Sequence, residues 1–107
     1  MNVWFVSRHP GALAWLARRE LHPDRVTAHL DPAEIAAGDV VIGTLPMSAA
    51  ADICSRGARF IALDLNLPSD MRGRELTEEE LRNLNCTLTE YRVSALPITE
   101  DLKGNVT

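Results

Sequence analysis

The sequence predicts one α/β domain with a mainly parallel sheet and helices on both faces. Short apolar runs alternate with helical patterns along residues 1–94, and no repeat or low-complexity segment interrupts them. This alternation is typical of strands joined by crossover helices. A chain of 107 residues is long enough to bury one hydrophobic core. Residues 95–107 are expected to form a C-terminal tail outside this domain.

The first strand is predicted at residues 2–6, an apolar run with β-branched and aromatic side chains. A helix is predicted to begin at Pro10, because proline is favoured in a first helical turn. Four apolar residues at helical spacing predict its buried face: Leu13, Leu16, Ala17 and Leu21. The second strand is predicted at residues 24–30, and a short helical turn at residues 32–36 should end at Gly38.

The third strand is predicted at residues 39–42. Pro46 opens the next helix, and Gly57 is expected at its C-terminal end. Its buried face is predicted from residues at i, i+3, i+4 and i+7: Met47, Ala50, Ala51 and Cys54. The fourth strand follows at residues 59–65, and a polar turn follows it at residues 66–70.

A third helix is predicted at residues 78–84. Thr77 and Glu80 have the spacing of a capping box, which fixes the start of this helix. Leu76 and Leu81 have the spacing of a hydrophobic staple across the same start.

The last strand is predicted at residues 86–93, at an edge of the sheet. Right-handed crossovers give the first four strands the order 2-1-3-4. The sheet then changes its direction of growth between strands one and three, and ligands of open α/β sheets bind at the carboxyl ends of the strands at that point. Two loops meet there: residues 7–11, called loop A, and residues 43–46, called loop B.

Loops A and B share one plan, in which a hydroxyl side chain follows the strand and a proline begins a helix. Free backbone N–H groups at the two helix starts, together with the Arg8 guanidinium, would form an anion site. Ser7 and Thr44 would position the anion or act only as helix caps. Gly11 and Gly43 are assigned to the same ligand-binding set.

His9 supplies the imidazole of this crevice, and it can act as an acid, as a base or as a hydrogen-bond donor to phosphate. The alternative is a loop histidine with no chemical role. His29 and Asp31 follow the second strand, but their spacing does not indicate a metal site with His9. We therefore expect neither a metal nor a cofactor.

The RGRE segment, residues 72–75, precedes the third helix. Arg72 and Arg74 flank a glycine and can grip a phosphodiester, while Glu75 can orient them or a ribose hydroxyl. Arg72 and Glu75 are therefore ligand-binding candidates, although a solvated loop is the alternative. Together these segments provide three catalytic candidates: Arg8, His9 and Arg74.

Composition argues against several classes of protein. The net charge of −4 argues against binding to long nucleic acid, although ten of the eleven cations are arginines, which suit bidentate contacts with phosphate. The longest uncharged stretch has twelve residues, short of the roughly 18 that cross a membrane. With no signal peptide recognisable and two cysteines that fit a reducing compartment, we expect a cytoplasmic location. The lack of GxGxxG, Walker, GxSxG and CxxC motifs argues against dehydrogenases, ATPases and α/β-hydrolases.

Several segments together resemble a small CRISPR-associated family that is encoded with type III systems. The SRHPGA segment of loop A, the GTLP segment of loop B and the RGREL segment carry most of this resemblance. Shorter matches lie at residues 28–32 and 90–93, so the resemblance covers about residues 2–93.

The resemblance implies a Rossmann-like fold related to CARF domains, which sense cyclic oligoadenylates, and a homodimer. It implies a ring nuclease that linearises cyclic tetra-adenylate, the second messenger of type III immunity, and so switches the response off. Chemical reasoning then assigns the roles: without a metal, a ribose 2′-OH would attack the neighbouring phosphate, His9 would protonate the leaving 5′-oxygen, and the linear products would end in 2′,3′-cyclic phosphates. The residues to which the resemblance extends are Ser7, Arg8, His9, Gly43, Thr44, Arg72, Arg74 and Glu75.

Two other functions remain open on the residues alone. The same cationic crevice would serve a non-catalytic binder, either a sponge that sequesters the ring or a sensor that reports it. The other open function is that of an unrelated nucleotide-binding or protein-interaction domain.

Overall fold

A computed structural model describes residues 1–64, 69–71, 73 and 75–103, in which strands and helices alternate along the chain. The strands are β1 (Val3–Val6), β2 (Arg25–Thr27), β3 (Val40–Gly43), β4 (Arg59–Asp64) and β5 (Thr87–Tyr91). The α-helices are α1 (Pro10–Ala17), α2 (Met47–Ser55), α3 (Glu78–Asn83) and α4 (Glu100–Lys103). Short 3₁₀ helices lie at Pro32–Glu34 and Ser69–Met71.

The five strands form one sheet in the order β2-β1-β3-β4-β5. The first four strands are parallel, and β5 pairs antiparallel with β4 at the edge. The predicted order 2-1-3-4 and the edge position of the last strand are therefore confirmed. The change in direction of growth lies between β1 and β3, where loops A and B leave the sheet.

Alternate residues of the strands face two separate apolar cores. Phe5 of β1 packs in the core under α1 and α3, whereas its neighbours Trp4 and Val6 pack in the core under α2. Because side chains alternate across a strand, these cores lie on opposite faces of the sheet. This is the mixed α/β architecture, a mostly parallel sheet between helices, that the sequence predicts.

The buried faces of α1 and α2 differ from the predicted ones. On α1, Leu13 and Ala17 are exposed, and the buried residues are Ala12, Trp15 and Leu16. The Trp15 indole is fully buried, so burial of the largest side chain sets the rotation of this short helix. On α2, Met47 is 83% exposed because it starts the helix at the rim, and the buried residues are Ala50 and Ile53.

The start of α3 agrees with the start that the sequence predicts. Thr77 accepts a hydrogen bond from the Glu80 amide, and Glu80 accepts one from the Thr77 amide, which completes the predicted capping box. Leu76 and Leu81 are both buried in the core under α1 and α3. Gly57 follows α2 with a φ of +90°, the left-handed conformation in which a helix commonly ends.

The remaining predicted segments lie partly outside the described residues. Residues 65–68 of the predicted fourth strand and polar turn are among those, and the described strand ends at Asp64. The boundary of the tail at residue 94 stays a prediction, and α4 lies within that tail. Among the helices that the structure describes, none has the length and apolar character to span a bilayer.

Candidate functional site

Loops A and B leave neighbouring strands at the same edge of the sheet. Val6 and Gly43 are paired in the parallel register of β1 and β3, so the residues that follow them begin side by side. A Cβ on Gly43 would lie 2.3 Å from the Val6 carbonyl oxygen, and its φ is +152°. The glycine at this position therefore allows close approach of the two backbones, and its predicted contact with a ligand stays a prediction.

Loop A is closed by its own hydrogen bonds. The His9 amide donates to Ser7 Oγ over 3.1 Å, and the Ala12 amide donates to the His9 carbonyl over 3.0 Å. The Gly11 amide donates to the Leu76 carbonyl over 3.2 Å, and Pro10 has no amide hydrogen. The expected set of free amides at the start of α1 is therefore wrong, because the first turn of this helix already has acceptors.

Loop B leaves the start of α2 open. The Thr44 hydroxyl donates to the Leu63 carbonyl over 3.1 Å, so it ties the loop to β4 and does not cap the helix. Pro46 occupies the N-cap position without a side-chain hydrogen bond. The first bond of α2 runs from the Ala50 amide to the Pro46 carbonyl, and the amides of residues 47–49 have no acceptor within the helix. These amides provide the anion-binding capacity expected of a helix start.

Neither loop hydroxyl acts as a side-chain cap. Ser7 Oγ accepts within loop A, and its hydroxyl hydrogen has no acceptor among the described residues, whereas the hydroxyl hydrogen of Thr44 is donated to Leu63. The interpretation of Ser7 and Thr44 as simple helix caps is therefore wrong. Their assignment to ligand binding stays a prediction.

Arg8 is an exposed cation at this edge. Most of the described arginines have structural contacts, either ion pairs with carboxylates or positions over tryptophan rings, namely Arg18 with Glu78, Arg56 with Asp52, Arg59 with Glu90, Arg19 over Trp15 and Arg25 over Trp4. Within the described residues Arg8 has neither kind of contact, so its guanidinium is available to a ligand phosphate.

His9 is half-buried, and its ring is anchored on one side. Its Nδ1 accepts a hydrogen bond from the Leu76 amide over 3.2 Å. Burial lowers the pKa of the imidazole below its usual value, the nearby Arg8 charge lowers it further, and Glu75 opposes them. At neutral pH the ring is therefore neutral with its hydrogen on Nε2, where it can donate a hydrogen bond.

The segment before α3 lies against loop A. The Leu76 amide donates to His9 and the Leu76 carbonyl accepts from Gly11, a pair of hydrogen bonds called here the Leu76 clamp. A Cβ on Gly11 would lie 2.1 Å from the Glu78 nitrogen and 2.2 Å from the Thr77 carbonyl carbon. Gly11 therefore has a packing role, since only a residue without a side chain lets α3 begin this close to α1.

The RGRE segment is described in part. Glu75 is exposed, and its charge acts on the His9 ring. Arg72 and Arg74, the predicted phosphate contacts, lie outside the described residues. Their assigned roles stay predictions, as do those of Arg8, His9 and Glu75.

Asp64 is a candidate that the sequence interpretation missed. It is the last residue of β4, it is exposed, and it lies at the edge from which loops A and B emerge. Thr44 is bonded to the residue before it, Leu63. The signal was present, because Asp64 ends its strand with a polar side chain as Ser7 and Thr44 follow theirs.

Other groups near the sheet have structural roles. Asp31 accepts from the Ala33 amide and caps the Pro32–Glu34 3₁₀ helix. Within the described part of the chain, no cluster of three or more histidine, cysteine or acidic side chains has the arrangement of a metal site. A groove of about 820 Å³ runs between α2 and the residues that follow β5, and no predicted site residue lines it.

Residues 4–94 match the model of a protein family described as "Putative CRISPR-associated protein (Cas_VVA1548)". None of the curated proteins and none of the solved structures compared with the chain shows significant similarity to it.

Proposed function

The chain belongs to this CRISPR-associated family, and from that premise we propose that it is a ring nuclease, which binds cyclic tetra-adenylate and cleaves it to linear products. Removal of the messenger would switch off type III CRISPR signalling in the cytoplasm. We also propose that the fold is related to the Rossmann-like CARF domains, on the basis of its mostly parallel sheet and of the change in strand order, where open α/β sheets bind their ligands.

The observation that carries the proposal is the presence of two kinds of hydrogen-bond donor to phosphate at the carboxyl edge of the sheet. Arg8, which forms no ion pair with the residues that the structure describes, lies at the same edge as the uncapped start of α2, whose first amides have no acceptor within the helix. Guanidinium and amide groups are the usual donors to phosphate in proteins. A ring of adenylates offers phosphates as its only charges, which fits this pair of donors.

The nucleophile belongs to the substrate. A ribose 2′-oxygen would form a bond to the adjacent phosphorus while the bond from phosphorus to the 5′-oxygen breaks, giving a 2′,3′-cyclic phosphate and a free 5′-hydroxyl. Holding the 2′-OH in line with that bond lowers the barrier by several kcal/mol, on the order of what intramolecular positioning achieves. Arg8 and the α2 amides would stabilise charge on the non-bridging oxygens, Asp64 or Glu75 would accept the 2′-OH proton, and the leaving 5′-oxygen would take a proton from water.

A homodimer suits this substrate. Two copies related by a two-fold axis would present their crevices to one ring, and a ring of four equivalent nucleotides can share that axis. We therefore expect one ring to be bound by two copies of loops A and B.

The proposal is tested by incubating the purified protein with excess cyclic tetra-adenylate in EDTA. We expect multiple turnovers to linear adenylates with 2′,3′-cyclic phosphate ends, detected by chromatography and mass spectrometry. The matched controls are cyclic hexa-adenylate and a linear tetra-adenylate. Tight binding without turnover would overturn the nuclease and leave a binding protein.

A non-catalytic binder is the second candidate, and one observation favours it. Because His9 Nδ1 already accepts the Leu76 amide, the ring is neutral and is poorly suited to protonate a leaving oxygen. Stoichiometry separates the two functions, since a sponge protects at most one ring per dimer whereas an enzyme clears an excess. Failure to bind any cyclic oligoadenylate would point to an unrelated nucleotide-binding or protein-interaction domain.

A further inference from the structure

His9 connects loop A to the residue that follows Glu75. Leu76 is 1% exposed, and both of its backbone polar groups bond to loop A, the amide to His9 Nδ1 and the carbonyl to the Gly11 amide. The carbonyl bond is made by main chain alone, whereas the amide bond depends on one side chain. The buried amide would lose its acceptor if the imidazole were absent.

The chemistry of the ring limits what His9 can do in this arrangement. Nδ1 can accept the Leu76 amide only while it carries no hydrogen. An imidazolium would place a second donor against that amide, so the protonated acid and the hydrogen bond exclude one another. Among the described residues, the charged groups that act on the ring are Arg8 and Glu75, while Glu78 at the start of α3 is paired with Arg18 at 2.7 Å.

We propose that His9 is a positioning residue that acts through Nδ1, holding Leu76 and therefore the Glu75 carboxylate beside loop A. Its contribution to ring cleavage is to keep Glu75 next to Arg8, so that the carboxylate meets the ribose while the guanidinium meets the phosphate. Proton transfer to the leaving oxygen is not its role. This inference rests on the proposed function for its activity readout, and its structural content is independent of it.

Two amide substitutions separate the two nitrogens of the ring. In His9→Asn the Oδ1 atom takes the place of Nδ1 and can accept the Leu76 amide, but nothing replaces Nε2. In His9→Gln the side-chain amide reaches the position of Nε2, and nothing near the backbone replaces Nδ1. The matched control is His29→Gln, because the His29 side chain is exposed and only its backbone is bonded to Thr27.

We expect His9→Asn to keep kcat within about threefold of the wild type and His9→Gln to lose about tenfold or more, because small displacements of a positioned group have large effects on rate. A hydrogen bond donated by Nε2 predicts the reverse order, and a general acid acting through Nε2 predicts a large loss in both variants, because a carboxamide does not transfer a proton; either result would overturn the proposal. Equal loss in both variants, or no loss in either, would overturn it as well.

A second measurement does not depend on cleavage. Amide hydrogen exchange of Leu76 should be slow in the wild type and in His9→Asn, and faster by about tenfold or more in His9→Gln, because a buried amide without an acceptor opens more readily. Nitrogen-15 spectra should show His9 Nδ1 without a hydrogen at neutral pH.

If the clamp forms as described and no ring is cleaved, the ring nuclease fails while the clamp stands. If cleavage occurs and His9→Gln leaves both Leu76 exchange and the rate unchanged, the clamp fails while the nuclease stands.

Discussion

Loops A and B have the same arrangement of strand, hydroxyl, proline and helix, but their hydrogen bonds differ. In loop A the amides of His9, Gly11 and Ala12 all have acceptors, and the helix that follows is tied to α3. In loop B the Thr44 hydroxyl is bonded to β4, and the first turn of α2 has no capping side chain. A helix start binds anions only where its amides are unbonded, so the two loops would contribute differently to the proposed site.

In the proposed site, this difference would give the two loops different roles. Loop A supplies a side-chain cation, Arg8, on a rigid support that is fixed by the Leu76 clamp. Loop B supplies main-chain donors at the start of α2.

The largest effect is expected from Gly11→Ala. Alanine stabilises a helix by about 1 kcal/mol relative to glycine, so helix propensity alone predicts a more stable protein. The added Cβ would instead lie 2.1 Å from the Glu78 nitrogen, and backbone atoms cannot move aside as the end of a side chain can. We expect a loss of about 3 kcal/mol in the free energy of unfolding, measured by chemical denaturation.

The matched control is Ala14→Gly on the exposed face of α1, which should cost about 1 kcal/mol through propensity alone. Equal or greater stability of Gly11→Ala would contradict the close packing of loop A against α3.

Removal of the Arg8 cation should have the next largest effect, and it should change ring binding and cleavage without changing the stability of the protein. Arg8→Ala deletes a charge-assisted contact with phosphate, which corresponds to about 1.5–3 kcal/mol, or one to two decades in ring affinity or cleavage rate. The thermal unfolding midpoint should not change, because Arg8 is exposed and has no ion pair among the described residues. Arg82→Ala, an exposed arginine of α3, is the control. Wild-type kinetics in Arg8→Ala would move the site toward the RGRE segment.

Strand order and the capped start of α3 were predictable because they depend on local patterns. Alternating apolar runs fix the strands, and the Thr77 and Glu80 spacing fixes a helix start whatever lies around it. The buried face of α1 was not predictable in this way, because the fit of Trp15 into the core decides the helix rotation. Short helices have too few turns for periodicity to compete with one large aromatic side chain.

The positions of loops A and B could be predicted from the sequence, but their hydrogen bonds could not. Polar residues after β1 and β3 indicate the carboxyl edge, since that is where an open parallel sheet binds ligands. The closure of loop A depends on Leu76, which is 67 residues away from His9 in the chain. No local sequence pattern predicts a contact over this separation, so the bonded amides of loop A and the hydrogen bond to the His9 ring could not be predicted from the sequence.

The amino edge of the sheet is closed by a buried carboxylate, in contrast to the open carboxyl edge. Asp39 is 3% exposed and accepts hydrogen bonds from the Asn2 and Ala36 amides and from Trp4 Nε1. The two amide bonds lower the pKa of this carboxyl, and the Trp4 bond adds to them. We expect Asp39→Asn to lose about 2 kcal/mol of unfolding free energy at neutral pH, because hydrogen bonds to a charged acceptor are lost.

The pH dependence follows from the lowered pKa of Asp39. The stabilisation is fully present above the unfolded carboxyl pKa of about 3.9 and is lost as the pH falls through the lower folded value. The stability gap between wild type and Asp39→Asn should therefore narrow below about pH 4, measured by denaturation at several pH values. A gap that stays constant would show that the charge on Asp39 does not hold this edge together. Ring binding near neutral pH should be the same in both proteins, because this edge is remote from loops A and B.

The smallest effect is expected from Met47→Pro, which tests loop B without changing any charge. Proline removes the amide hydrogen at the first position of α2, and proline is well tolerated there. The preceding Pro46 has φ −58° and ψ 151°, the conformation that a residue before proline prefers, and Met47 is 83% exposed. The fold should therefore be retained, with an unchanged thermal midpoint. Loss of one main-chain hydrogen bond to phosphate should weaken ring affinity by about 1 kcal/mol, or roughly fivefold, as measured by calorimetry.

Met47→Ala is the control that keeps the amide and removes the same side chain. If loop B binds through its main chain, Met47→Ala should bind the ring like the wild type and Met47→Pro should bind it less tightly. Equal weakening in both variants would assign the contact to the methionine side chain. Unchanged affinity in both would remove the Met47 amide from the site and leave the amides of residues 48 and 49, together with Arg8, as the groups of these loops that can donate to phosphate.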